Sequence, residues 1–390
     1  MKIMDSLVAY RAARPAALAA LLLGAVLLTA AAGVPLLAGA GRTPLLQSYL
    51  LAYVFWLNLA LGCLGLLLLH PVVGGRWGVP IRRFLEAGVG TLPLLLLLAL
   101  PLLLGLRELY PWAAPGAEAS AALRPKRLYL NVPFFVVRLL VCFAIWMALG
   151  ALLRRASLAQ DAAPGPRSAA RLVRLGAPGL VLYVLTVSFA LWDLTATLDP
   201  RWYSTVYGLI LIDVQGLTAL SFGVIVLVLF AGRPPLRSQA SRERLHDLGN
   251  LLLMLLLMWA YLSFMQLLIS WSGNLPDEVR FYVPRLHGPF ARIGIGLLVF
   301  HFAVPFLGLL SRPLKRSRGS LFALALLLFL GAWLDLFWLV APGFQRTGAT
   351  FCLLDFAFTL GLGGLFVGLY LIRLGGRPLL SVGAVDGSSQ

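Results

Sequence analysis

Nine acidic and histidine side chains stand in or beside runs of apolar sequence: His70, Glu86, Asp193, Asp213, His246, Asp247, His301, Asp335 and Asp355. A charge at mid-bilayer costs roughly 2.5–3.5 kcal/mol on insertion scales, so such groups turn inward, pair, or serve the traffic of protons and ions. Arg138 and Arg292 also lie inside apolar stretches and are the cationic partners on offer, Arg138 with Asp193 or Asp213 for instance. Pairing alone would make these groups structural clamps. Stability would be served as well by leucine, however, and the set covers every depth. Arg138, Asp193, Asp213, Arg292, Asp335 and Asp355 fall near one side. Asn58, Gln215 and His301 fall near the middle, and His70, Glu86, His246 and Asp247 near the other side. A series of titratable groups with gaps bridged by water is what proton movement needs. The nine are therefore proton-path candidates, with His70, Glu86, His246 and Asp247 expected to form an inner vestibule. His301 is the sharpest case, because a mid-membrane imidazole has no water by default. No side chain is assigned as catalytic.

Metal chemistry finds no ligand set. Cys63, Cys142 and Cys352 each stand alone, without CxxC or CxxCH spacing, so no iron–sulfur cluster or c-type haem is expected. A b-type haem needs two imidazoles at one depth. Only His70 and His246 qualify, and Pro71 follows His70 directly. The chain is expected to hold no cofactor covalently or through metal ligands. Trp56, Trp146, Trp192, Trp259 and Trp333 are mid-helix and read as core, while Trp202, Tyr203 and Trp271 read as an interfacial belt. These aromatics fit a pocket for a flat, apolar headgroup.

The elements that must carry these groups are helices in lipid. The hydrophobic fraction is 60%, the charged fraction 12% and the mean hydropathy +0.90, against about 25% charged residues in a soluble domain. Apolar stretches of spanning length occur at 16–37, 46–69, 85–105, 131–152, 175–197, 206–231, 246–271, 290–311, 320–340 and 351–373. The formal charge of +17 would suggest nucleic acid in a soluble chain. Here the arginines sit in short loops, where they set topology, so nucleic acid is excluded as a partner and the lipid bilayer takes its place. With the N-terminus inside, inner segments hold twenty-one of the 32 cations and outer loops nine. That bias supports ten helices with both termini in the cytoplasm.

The chain also repeats itself. DLTATLDP, 193–200, reappears as DLFWLVAP, 335–342, and the same offset carries Asp213 onto Asp355. RFLEAG, 83–88, reappears as RLHDLG, 244–249, and maps Glu86 onto Asp247. The fold expected is all-α and polytopic, with two related parallel four-helix bundles, helices two to five and six to nine, and two peripheral helices. The corresponding boundaries are 1–45, 46–200, 201–342 and 343–390.

Three runs carry a family resemblance: GCLGLLLLHPVVGGRWGVPIRRFLEA at 62–87, LWDLTATLDPRWYSTVYG at 191–208 and WSGNLPDEVRFYVPR at 271–285. Together they resemble the ActF membrane subunit of alternative complex III, described as quinol:cytochrome c oxidoreductase quinone-binding subunit 2. That family is similar to the NrfD and polysulfide-reductase type of membrane anchor. The resemblance reaches helices two to eight by motif and the rest by helix count. It implies a multi-pass subunit of the bacterial cytoplasmic (inner) membrane, in a respiratory complex with a multihaem cytochrome c, an iron–sulfur subunit and a sister NrfD-like subunit. It further implies quinol oxidation linked to electron transport and proton translocation, with the quinol site itself better attributed to the sister subunit. Two other classes stand beside it: a secondary transporter built from repeats, and a purely structural anchor. Unbroken helices are expected and speak against the transporter, since Pro93 and Pro101 in the third helix have no counterpart in the seventh.

Overall fold

The computed structural model describes residues 2–37, 39, 41–117, 123–232, 236–344 and 351–375, with side chains from residue 14 onward except 237 and 238. Arg233, Arg346, Arg377 and the tail after Gly375 lie outside the described residues. Among the described residues every regular element is helical. Ten helices among the described residues are long and apolar enough to cross a membrane. They are α1 (Arg14–Leu37), α2 (Arg42–Val73), α3 (Arg82–Leu104), α4 (Val132–Ala162), α5 (Pro166–Leu198), α6 (Tyr207–Phe230), α7 (Arg242–Gly273), α8 (Gly288–Leu310), α9 (Arg318–Phe344) and α10 (Leu353–Gly375). Each falls on one of the ten apolar stretches, so the chain is an all-α polytopic membrane protein.

Local chemistry sets several ends. Asn131 caps α4 by accepting the Phe134 N–H at 2.9 Å, with Pro133 following in the first turn. Ser241 caps α7 by accepting the Arg244 N–H. At the far end of α7, Asn274 takes a left-handed conformation with φ 45°, a common helix stop.

Two helices depart from the expectation of unbroken spans. Helix α3 is interrupted twice, into Arg82–Val89, Leu92–Leu98 and Leu100–Leu104. Pro93 and Pro101 each open a new segment, because proline lacks the N–H and its ring clashes with the carbonyl four residues back. Helix α8 contains a π-helical stretch, Leu297–Ala303, followed at once by Pro305. Its carbonyl four residues back is that of His301, and the wider π turn relieves the same clash. The sequence correspondence pairs α3 with α7 and not with α8, so the two breaks do not fall at matching places of that correspondence.

Packing centres on α2, buried along almost its whole span, and α6, the next most buried. Helix α2 meets α3, α4, α5, α6, α9 and α10, whereas α6 meets α2, α5, α7 and α9. Helix α7 packs on α8, and α8 on α9. The two groups of four thus share one continuous core through the α2–α6 contact. At that crossing a Cβ on Gly62 would overlap the Gln215 carbonyl oxygen, so glycine sets the approach. Beside it, Gln215 Nε2 donates to Asn58 Oδ1 at 2.9 Å and the Tyr183 hydroxyl donates to Gln215 Oε1 at 2.5 Å. Helix α10 leans on α2 and α3, and α1 lies outermost against α10. A Cβ on Gly24 would come within 2.7 Å of the Gly361 carbonyl oxygen, so small residues seat that pair too.

Candidate functional site

The nine candidate groups separate into four environments. The first is a clamp. Arg138 Nε on α4 donates to Asp193 Oδ2 on α5 at 2.8 Å, and Arg138 Nη1 donates to the Tyr129 carbonyl at 2.8 Å. The guanidinium lies 3.8 Å from the Tyr129 ring centre and 4.4 Å from that of Phe134. Of the two acids open to Arg138, Asp193 is the partner.

The second environment lies between α6, α7, α8 and α9. Trp259 Nε1 on α7 donates to Asp335 Oδ2 on α9 at 3.0 Å. The Trp259 ring meets His301 edge-on, with centroids 4.9 Å apart. His301 is 1% exposed, and neither ring nitrogen has a hydrogen-bond partner among the described residues. A Cβ on Gly331 of α9 would overlap its Nδ1, so that glycine makes the imidazole's seat. Asp213 on α6 is buried with Oδ2 unpartnered among the described residues, close enough to Asp335 to interact electrostatically. Trp259, read from sequence as core packing, is therefore a hydrogen-bond donor between two candidate groups. Asp355, the repeat mate of Asp213, sits apart. It is buried in the first turn of α10, where its Oδ2 accepts the Cys352 N–H at 2.9 Å.

The third is a cavity of about 560 Å³ at the face where the 73–82 loop, the ends of α4 and α10 and the start of α5 meet. His70 and Glu86 line it together. The His70 Nε2 lies 3.0 Å from the Gly75 carbonyl oxygen, and its ring meets Trp77 edge-on. Glu86 accepts from Arg83 at 2.6 Å and from Ser157 at 2.5 Å, and pairs with Arg82 at 3.4 Å. Arg83 also pairs with Asp161, and Arg82 donates to Gln160 at 2.7 Å. Arg82 and Arg83, taken from sequence as topology cations, are thus part of a buried polar network with the end of α4.

The expected four-residue vestibule does not form. His246 and Asp247 do not line this cavity. Asp247 is exposed, and His246 lies near Lys315 and Arg316. Helices α3 and α7 occupy related places in the repeat, but only α3 meets α4 and α10 around a cavity. Among the described residues no group of three or more His, Cys, Asp or Glu side chains could hold a metal ion.

The fourth environment lies at the opposite face. A cavity of about 680 Å³ is lined by the end of α5, the short helix Pro276–Leu286 and the end of α9. Here the structure corrects the assignment of Arg292, which is exposed and makes no ion pair among the described residues. A buried arginine at this face is Arg285, on the short helix Pro276–Leu286. It donates to the carbonyls of Phe281, Trp338 and Leu339 and lies 3.4 Å from the Phe281 ring centre. Burial pushes its guanidinium down to about 9, so it is charged at neutral pH. Trp202 stacks on Phe281 at 4.1 Å, yet its buried indole N–H has no partner among the described residues. The Tyr207 hydroxyl donates to Thr195 Oγ1 at 3.0 Å.

No protein-family model and no curated protein matches this chain. What the fold and these sites define is a multi-pass membrane protein with buried polar groups along its interior.

Proposed function

We propose that this chain is a membrane subunit of a respiratory quinol:cytochrome c oxidoreductase, in the inner membrane of a bacterium with both termini in the cytoplasm. It carries no redox centre of its own. Its parts are a proton path through the bilayer and a surface that faces quinone. The ActF-like runs supply the setting, together with partners bearing c haems and iron–sulfur clusters and an NrfD-like sister.

The observation that carries the proton part is the Asp213, Asp335, Trp259 and His301 group. A buried imidazole with both nitrogens unpartnered is costly to stability, by about 1–3 kcal/mol for each orphaned polar group. It is retained where the group does work, and π-helical turns gather at such places. Where the gap between two groups exceeds a hydrogen bond, a bridging water completes the transfer. Toward the other face, His70 and Glu86 offer titratable groups in an open cavity.

The quinone part rests on the aromatic cavity. Its flat wall of Trp202 and Phe281, with an unpartnered indole N–H on Trp202, suits a flat ring bearing a carbonyl oxygen. A quinone bound there would supply two-electron chemistry. The residues of this chain would supply the stacking face and one hydrogen bond.

The test compares His301→Leu and Asp335→Asn in the assembled complex. Leucine satisfies the apolar seat and asparagine keeps the Trp259 bond, so both variants should assemble. Turnover or proton release in vesicles should fall on the order of 10²-fold. Normal turnover and proton stoichiometry in both assembled variants would refute the path. They would leave the purely structural anchor, the reading that the Arg138–Asp193 clamp favours.

A further inference from the structure

The 560 Å³ cavity between α2, α3, α4, α5 and α10 carries more positive charge than its own acids balance. Arg82 and Arg83 are matched by Glu86 and Asp161, which they contact directly. Arg154, Arg155 and Arg373 also line the cavity, and none makes an ion pair or hydrogen bond among the described residues. Three exposed arginines without an acidic partner among the described residues, two on α4 and one on α10, thus line one cavity. Helix α10 is brought there by packing. Gly90 leaves space for the Arg373 stem, since an added Cβ would sit 3.2 Å from its Cγ.

Below the arginines the walls are apolar, with Leu67, Met147, Leu153 and Leu172 among them. A cavity of this size takes a ligand of several hundred daltons rather than a bare ion. Its cationic rim and apolar floor at the end of membrane spans match an amphiphile whose anionic group sits at headgroup depth. Guanidinium groups pair with phosphate oxygens through two parallel hydrogen bonds, which a point cation cannot do. Basic pockets between membrane helices recognise lipid phosphates in this way.

We propose that this cavity binds an anionic glycerophospholipid. Its phosphate lies among Arg154, Arg155 and Arg373, and the first part of an acyl chain runs along Leu67, Leu153 and Leu172. His70 and Glu86 of the proposed proton path line the same cavity, but none of these six residues belongs to that path or to the quinone cavity, so the lipid-binding test and the turnover test fail separately.

The experiment is lipid binding to the delipidated full-length protein, followed by native mass spectrometry. The probes are phosphatidylglycerol, phosphatidylcholine and inorganic phosphate. Phosphatidylglycerol should bind at least tenfold more tightly than phosphatidylcholine, and the preference should shrink at high salt. The triple variant R154Q/R155Q/R373Q should lose about 10²-fold in phosphatidylglycerol affinity, taking about fivefold for each cation. The control R171Q/R174Q removes two exposed arginines at the start of α5 that do not line the cavity, and should bind within about twofold of wild type. Should the triple variant fail to fold, judged by size-exclusion, the wild-type lipid preference and its salt dependence decide alone. Equal binding of phosphatidylcholine, an unaffected triple variant, or an equal loss in the control would overturn the site. Displacement of phosphatidylglycerol by millimolar inorganic phosphate would replace the lipid with a free ion.

Discussion

Replacing Asp193 by Asn puts the Arg138 clamp to a quantitative test. The amide keeps the volume of the carboxylate but removes its charge, and leaves a guanidinium whose side chain is 13% exposed facing one that is 5% exposed. At the observed 2.8 Å and an effective dielectric near 20, the gross attraction lost is roughly 6 kcal/mol. Part of that survives removal. Arg138 retains the Tyr129 carbonyl and its two ring contacts, and the Asn carbonyl still accepts a hydrogen bond. The net loss should fall near the lower end of the range for a broken buried pair, about 3 kcal/mol, or about 150-fold in the folding equilibrium. The assay is a double-mutant cycle in detergent with Asp193→Asn, Arg138→Gln and the pair, read by thermal melting and by yield in the membrane. Each single variant should be destabilised, and the pair should regain more than 1 kcal/mol over the sum of the singles. Strict additivity, or a stable Asp193→Asn variant that loses only turnover, would refute the clamp and return Asp193 to the relay.

Three further outcomes follow from the same geometry. Gly62→Leu should destabilise by about 3 kcal/mol or more, because its Cβ would overlap the Gln215 carbonyl and pull apart the Asn58–Gln215 bond; melting of the purified variant measures it. Burial raises the phenols of Tyr110 and Tyr282 above their ordinary value of 10.0. A raised folded value gives stability that is fully present below pH 10 and is lost as pH climbs toward it. Melting temperature should therefore fall above pH 10, and phenolate absorbance from these two should appear with unfolding rather than before it. Reporter fusions after Arg155, Arg237 and Arg316 should read cytoplasmic, and fusions near Ala117 and Asn274 extracytoplasmic; an outside reading at any of the first three would overturn the orientation.

The helices were legible because spanning is a local property. About twenty consecutive apolar residues suffice, whatever they later pack against, and all ten stretches became helices at their expected places. Two finer features also have a local sequence signal. Pro305 stands four residues after His301, the spacing at which proline disrupts the helix, and the π turn formed there. Gly331 marks the place where an imidazole could press against α9.

The sequence by itself determined the helix number, the helix positions, the cation asymmetry and the list of polar groups that must avoid lipid. It could not determine which of those groups meet, because that depends on how each helix is rotated and which neighbours it finds. The repeat related Asp193 to Asp335, yet one contacts an arginine and the other an indole N–H. It related Glu86 to Asp247, yet one lies in a buried network and the other is exposed. Arg285 and Arg292 stand only seven residues apart, yet packing of the short helix against the end of α9 buries the first and leaves the second exposed. Apolarity is summed along a helix, whereas a polar contact needs two faces at one depth, and only the tertiary structure supplies the second face.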